Sequence, residues 1–285
     1  MTDKYAVIGN PIAHSKSPQI HKMFAEQTGQ DISYEAVLAP LGGFLATVEK
    51  LRKGGYKGCN VTVPFKFEAC RIVNGVSREV MDAFDSVVIG GENPDAINTL
   101  DFRNNEITGH NTDGIGLVRD ITQNLKTEIA GKKVLLMGAG GAAYGVVHLL
   151  SEQQPKELII ANRTLENAIK FVKKITGTAQ FPVRNVSWSS YPDLAGKQFD
   201  IIINATSSSL SNEMPDIPKT IFAPGSLAYD MMYGRVTPFM TFARANGAAL
   251  VKDGLGMLVE QAAEAFFIWR GLSPDTAPVI ARLRA

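Results

Sequence analysis

A β-strand that runs into a G-x-G-x-x-A turn and then into a helix has few folds open to it, and this chain carries that arrangement at Gly138-Ala139-Gly140-Gly141-Ala142-Ala143. The preceding Lys132-Lys133-Val134-Leu135-Leu136-Met137 reads as a buried strand, and the following Tyr144–Leu150 reads as a helix. Glycines allow a tight turn and let backbone N–H groups approach a pyrophosphate. The helix N-terminus adds partial positive charge. Gly138, Ala139, Gly140, Gly141 and Ala142 are therefore candidate dinucleotide-binding residues. The competing interpretation is a tight βα turn with no ligand.

The next strand, Glu157–Ala161, ends in Asn162-Arg163-Thr164. A site for NAD would place a carboxylate here to accept from the ribose 2′-hydroxyl. This chain offers an amide, a guanidinium and a hydroxyl. A carboxylate would repel a 2′-phosphate, whereas Arg163 would hold it with charge-assisted bonds. NADP is the expected cofactor, with Asn162, Arg163 and Thr164 at its adenosine end. Thr164 as a plain helix cap and Arg163 as a solvated turn residue is the bland alternative.

At 285 residues the chain is long enough for two domains with full cores. A net charge of +1 gives no reason to expect a nucleic-acid or membrane surface. Lys170, Lys173 and Lys174 share a helix and read as a solvated face. Met1–Lys4 leads into a short strand, not a signal segment, and the longest nearly apolar run, Val134–Val147, is too short to span a bilayer. The two cysteines, Cys59 and Cys70, point to neither a disulfide framework nor a metal site, so no metal is expected and a reducing cytoplasm fits.

Strand and helix patterns alternate along the chain. Strands are expected at Tyr5–Ile8, Tyr34–Leu38, Gly58–Val63, Ile97–Phe102, Val134–Met137, Leu158–Ala161, Asp200–Asn204, Leu227–Asp230 and Ala249–Val251. Helices are expected at Pro18–Thr28, Phe44–Lys53, Gly114–Asn124, Ala142–Glu152, Leu165–Ile175, Pro238–Asn246, Leu255–Arg270 and Thr276–Leu283. Such alternation with apolar strands argues for parallel sheets covered on both faces. The fold class is α/β: two open three-layer domains, the second a Rossmann-type doubly wound parallel sheet. Gly90–Pro94 reads as a loop within the hard-to-assign Asp82–Pro94.

The first domain holds a polar constellation of its own. Ser15-Lys16-Ser17-Pro18 opens a helix, with Ser17 at the N-cap and Pro18 at N1, and offers hydroxyls and free N–H groups to a carboxylate. In Asn60-Val61-Thr62-Val63-Pro64-Phe65-Lys66, Asn60 and Thr62 share a strand face and Lys66 follows the strand's carboxyl end, where ligands of open α/β sheets bind. Asn98 sits in a strand, an unfavourable place for an amide. Asp113, in Asn111-Thr112-Asp113-Gly114, begins a helix and would serve there as an ordinary cap. Each signal alone is weak.

Taken in order, these pieces resemble the shikimate dehydrogenase family from end to end. The likeness is carried by Ala6–Pro18, Asn60–Lys66, Ala96–Thr99, Asn111–Gly114, the glycine-rich turn, Asn162–Thr164, Asn204-Ala205-Thr206-Ser207, Tyr229–Tyr233 and Asp253–Met257. The resemblance implies an NADP-dependent reversible reduction of 3-dehydroshikimate to shikimate, a step of chorismate and aromatic amino-acid biosynthesis. It implies Lys66 and Asp113 as the catalytic pair, Ser15 and Ser17 on the substrate carboxylate, and Thr62, Asn98, Tyr233 and Gln261 on the ring hydroxyls. Met231 and Gly254 would border the nicotinamide. It further implies a catalytic domain of residues 1–113 plus 255–285, an NADP domain of residues 114–254, and an active site in the cleft between them, in a monomer or a homodimer. A relative that prefers quinate and a non-catalytic ligand sensor are the rival readings. The paired serines favour shikimate, while Lys66 with Asp113 and the lack of a DNA-binding segment disfavour the sensor.

Three departures from the family pattern stand out. Ala143 and Tyr144 replace a commonly found Ser-Arg pair, removing a hydroxyl and a cation from the phosphate turn. Asn167 stands where a second basic residue often follows Asn-Arg-Thr. The stretch between Lys66 and Asn98 is longer than the family pattern, with the extra length expected in Asp82–Asp95.

Overall fold

The structure, a computed structural model, describes residues 2–73, 87–89 (backbone), 96–103, 106–177, 183–206, 208 and 213–285. The expected loop at Gly90–Pro94 and the bulk of the longer segment Asp82–Asp95 lie outside the described residues. The chain divides into two compact units, Met1–Asp113 with Val259–Ala285, and Gly114–Leu258.

The first unit is built on a six-stranded sheet of order β2-β1-β3-β5-β6-β4. Its strands are β1 (Asp3–Gly9), β2 (Ile32–Leu38), β3 (Tyr56–Val61), β4 (Val87–Ile89), β5 (Thr99–Asp101) and β6 (Ile107–His110). β1 pairs in parallel with β2 and β3, through the helices α1 (Ser17–Thr28) and α2 (Phe44–Lys53) that make the crossovers. The expectation of an all-parallel sheet fails here. β5 runs antiparallel to both β3 and β6. Only five residues separate β5 from β6, too few for a crossover, so a hairpin is the connection available. The helix α3 (Lys66–Val73) is additional to the helices that the sequence pattern predicts. Its inward residues Ala69, Cys70, Ile72 and Val73 make only a short helical repeat after Pro64. The core under this sheet joins Ile8, Phe44, Val61, Phe65, Ile97 and Leu100.

The chain's last long helix, Leu255–Arg270, spans the division, and its residues from Val259 on belong to the first unit. Ala265 and Trp269 bury against Tyr5, whose ring stacks on Trp269 with centroids 4.6 Å apart. The Trp269 indole donates to the Leu100 carbonyl at 3.1 Å, and Arg103 donates to the carbonyls of Ile268 and Trp269 while gripping Asp101. These bonds anchor the helix that carries Gln261.

The second unit is a wholly parallel six-stranded sheet of order β12-β11-β10-β7-β8-β9. Its strands are β7 (Lys133–Met137), β8 (Glu157–Ala161), β9 (Val186–Ser189), β10 (Phe199–Asn204), β11 (Phe222–Asp230) and β12 (Leu250–Asp253). Counted within the unit this is 6-5-4-1-2-3, the doubly wound order of dinucleotide-binding sheets. The direction of winding reverses between β7 and β10. The turn Gly138–Gly140 leaves the carboxyl end of β7, and Asn204 closes β10 beside it. Among the described residues no helix is long and apolar enough to cross a membrane, and no group of side chains is arranged to hold a metal ion.

Candidate active site

Lys66 and Asp113 meet. The Lys66 ammonium donates to Asp113 Oδ2 within the first unit, and both side chains are largely withdrawn from solvent. Asp113 begins the helix Asp113–Arg119, yet its carboxylate does not cap that helix. The acceptor at the helix start is Asn111, whose Oδ1 takes the Asp113 N–H at 2.9 Å. This leaves both carboxylate oxygens of Asp113 to side chains: Oδ2 to Lys66 and Oδ1 to the Asn98 amide, at 2.9 Å.

Asn98 is the centre of the cluster. It lies just before β5 and not inside a strand, although its N–H and C=O still bond to His110 and Val61. Its Oδ1 accepts the Thr112 N–H at 2.8 Å, which settles which end of the amide is which. Its Nδ2 therefore faces Asp113, the Thr112 hydroxyl at 2.9 Å and Gln261 Oε1 at 3.3 Å. Gln261 reaches this place from the C-terminal helix and also accepts from Thr112 at 3.2 Å. Lys66, Asn98, Asp113 and Gln261 are thus drawn to one point from four separate stretches of chain.

Ser15 and Ser17 are also side by side. The helix starts at Ser17, with Lys16 and not Ser17 in the N-cap position, and no side chain of the cap residue bonds back. The correction follows from Ser15, whose Oγ accepts the Ser17 N–H at 3.3 Å and meets part of the terminal demand that Ser17 was expected to meet. The Ser17 hydroxyl lies beside the Tyr34 phenol. Thr62 follows β3, its N–H bonded to the Ile8 carbonyl at 2.9 Å. Its methyl and the Ile12 side chain crowd the place of a Cβ on Gly9, so a larger residue there would have to displace both. Asn60 does not share an open face with Thr62. It is buried, with Oδ1 accepting from Tyr34 at 2.7 Å and Nδ2 donating to the Thr99 hydroxyl at 2.9 Å.

In the second unit, Gly138 has φ +109°, open only to glycine, and a Cβ there would crowd the Ala205 carbonyl. Gly140 differs. Its φ of −102° suits any residue, and a Cβ on it would meet nothing within 4 Å. Neither strain nor packing within the described residues requires glycine at 140. The space it leaves open lies at the N-terminus of the helix Gly141–Glu152, whose first N–H groups lack intrahelical partners. That is the fit expected for a pyrophosphate brought close to backbone. Ala139 and Ala142 complete the turn without adding bulk.

Asn162, Arg163 and Thr164 follow β8. Asn162 Nδ2 donates to the Thr164 carbonyl at 2.9 Å and ties the turn together. Thr164 occupies the N-cap position of the helix Leu165–Thr176, but its side chain makes no capping bond. Arg163 is exposed, and its charge acts on Tyr191, whose phenol burial pushes up to about 12 against that charge. These residues suit a 2′-phosphate of NADP, with Arg163 as its cation. Tyr144 packs on the helix that follows this turn. Its ring is buried against Phe171 at 4.1 Å, with the Lys174 ammonium 5.0 Å from its centroid. Lys174 is exposed, as its helix face implies, with its ammonium over that ring.

Met231 and Gly254 are brought together. Gly254 N–H bonds the Met232 carbonyl at 2.8 Å, and a Cβ on Gly254 would collide with the Met231 backbone. Tyr233 lies in the same loop after β11. What the sequence reading gave no role is the buried polar clamp beneath it. Asp230 accepts from the Met232 N–H at 3.0 Å, from Asn204 Nδ2 at 3.3 Å and from the Thr237 hydroxyl. The signal was present in the Asn204–Ser207 and Tyr229–Tyr233 motifs, although Ser207 itself lies outside the described residues.

Family models match three stretches of the chain. Residues 7–86 match the family described as "Shikimate dehydrogenase substrate binding domain", residues 119–212 "Shikimate / quinate 5-dehydrogenase", and residues 254–284 "Shikimate 5'-dehydrogenase C-terminal domain". A protein of Methylobacillus flagellatus named shikimate dehydrogenase (NADP(+)) is 53% identical over 284 residues, covering 99% of each chain. Among solved structures, an Ael1 enzyme from Pseudomonas putida is 40% identical with a TM-score of 0.84, covering 99% of this chain and 98% of its own. A Thermus thermophilus shikimate 5-dehydrogenase in complex with NADP(H) and shikimate is 27% identical with a TM-score of 0.81, covering 99% of each. On these matches, which run the length of the chain, it belongs to the shikimate dehydrogenase family.

Proposed function

We propose that the protein catalyses the reversible, NADP-dependent reduction of 3-dehydroshikimate to shikimate, and so serves chorismate and aromatic amino-acid biosynthesis in the cytoplasm. The observation that carries this reading is the meeting of Lys66, Asp113, Asn98 and Gln261 in one buried polar cluster within a chain of this family. Ser15 and Ser17 take the substrate carboxylate through hydroxyls and N–H groups at the start of α1. Thr62, Asn98, Gln261 and Tyr233 take the ring hydroxyls. The Gly138–Ala142 turn, Asn162, Arg163 and Thr164, with Met231 and Gly254, would hold NADP(H), which when bound would supply or accept the hydride.

Lys66 moves the proton. In the reducing direction its ammonium donates to the alkoxide that forms at C3 and, before the transfer, stabilises the charge developing there. In the oxidising direction the amine takes the hydroxyl proton. The Asp113 carboxylate accepts from the ammonium and aims it. Asn98 holds Asp113 by its second oxygen, so that the carboxylate cannot swing away with the lysine.

The family description over residues 119–212 also names quinate. Quinate adds a hydroxyl on the carbon that bears the carboxylate, beside Ser15 and Ser17. A spectrophotometric assay of NADP reduction, with shikimate and quinate at equal concentration, separates the two. Turnover is expected to be clearly faster with shikimate, and quinate turnover equal to or above it would overturn this reading.

A further inference from the structure

Behind the Lys66–Asp113 pair the structure places a row of polar side chains whose hydrogen bonds run one way. The Tyr34 hydroxyl donates to Asn60 Oδ1 at 2.7 Å. Asn60 Nδ2 donates to the Thr99 hydroxyl at 2.9 Å. The Thr99 hydroxyl donates to Asn98 Oδ1 at 3.0 Å. Asn98 Nδ2 donates to Asp113 Oδ1 at 2.9 Å, and Asp113 Oδ2 receives Lys66. Each donor points toward the carboxylate, and Asn60, Asn98 and Thr99 are all buried.

Tyr34, Asn60 and Thr99 spend these bonds on one another and on Asn98, and a buried hydroxyl or amide is costly unless it is bonded. Apolar residues of similar shape would fill β2, β3 and β5 without that cost. The direction of the bonds supplies a reason for the polar choice. An amide that receives at its oxygen is polarised toward donation from its nitrogen, and successive bonds of this kind strengthen one another. Thr99 has one proton. Asn98 Oδ1 receives that proton, while the oxygen accepts from Asn60.

We propose that Tyr34, Asn60 and Thr99 are positioning residues that act through Asn98 to hold the Asp113 carboxylate, and with it Lys66, in working alignment. This rests on the reading of Lys66 and Asp113 as the acid–base pair.

Thr99→Val keeps the shape and removes only the hydroxyl, and Thr99→Ser keeps the hydroxyl. One net hydrogen bond corresponds to roughly a threefold to tenfold change. Thr99→Val is therefore expected to lower kcat about three- to tenfold per folded molecule with the Kd for NADP unchanged, and Thr99→Ser to stay within about twofold of wild type. Tyr34→Phe should give a smaller loss of the same kind. In an Asn98→Ala background Thr99→Val should have no further effect, because coupled residues are not additive. The side-chain NH₂ resonances of Asn98, assigned by their loss in Asn98→Ala, should shift and exchange faster with solvent in Thr99→Val but not in Thr99→Ser. Equal kinetics for the valine and serine variants, or losses that multiply with Asn98→Ala, would overturn the proposal. The resonance measurement needs no turnover. A wild type inactive on shikimate would defeat the functional reading, while unchanged Asn98 resonances in Thr99→Val would defeat the relay.

Discussion

The imidazole of His21 lies flat against the phenol of Tyr34, ring centroids 4.1 Å apart and planes within 7°. Phe24, Phe266 and Trp269 close the remaining sides, and neither ring nitrogen has a hydrogen-bond partner among the described residues. Burial pushes the His21 pKa down to about 3, and the neighbouring Asn60 side chain opposes that to a lesser degree.

His21 is therefore a source of acid sensitivity. A histidine near 6.5 when unfolded and near 3 when folded binds a proton first in the unfolded chain, so stability falls as pH drops from the unfolded value toward the folded one. Between pH 7 and pH 5 the loss from this residue is expected to be roughly 2 kcal/mol. His21→Phe should keep the aromatic packing and lose that component. Urea denaturation of both proteins at pH 7 and pH 5 measures it, and an identical pH dependence would show that His21 is not the source.

Lys66 and Asp113 should behave as one unit. Lys66→Ala and Asp113→Asn are each expected to lower kcat by roughly 100- to 10,000-fold, the span of positioned acid–base groups. The double variant should fall little further. Steady-state kinetics on the three variants decide it. Losses that multiply would mean that the two groups act independently, although they share an ion pair here.

Arg163 is the exposed cation of the turn after β8, and neither Tyr144 nor Asn167 places a positive charge beside it. A bond to a charged group corresponds to about 1.5–3 kcal/mol, so Arg163→Ala should weaken NADP by roughly 10- to 150-fold. NAD carries no 2′-phosphate, and its affinity should barely change. Added salt should narrow the preference of the wild type, because an exposed pair is screened. Calorimetric Kd values for both cofactors provide the measurement. Equal losses for NADP and NAD would assign Arg163 to shaping the turn.

Features whose causes lie within a few residues were legible in the sequence. The turn Gly138–Ala142 follows from glycine's backbone freedom between a strand and a helix. The absence of a carboxylate at Asn162–Thr164 is a matter of residue type at one place. The apolar strands and their helices define the doubly wound sheet by local periodicity. Other features depended on segments far apart in the chain, whose meeting is decided by packing of the whole unit. Gln261 reaches Asn98 across 163 residues, and no local pattern records that. By strand alternation Asn60 shares a face with Thr62. Only the pairing of β3 with β1 and β5 turns it inward to Tyr34 and Thr99. Tyr144 could be read as a lost cation, but whether its ring meets phosphate or Phe171 depends on how two helices pack. Local backbone chemistry thus specified the Gly138–Ala142 turn, whereas the orientation of each buried amide and carboxylate around Lys66 was settled by which partners the tertiary structure left within hydrogen-bonding distance.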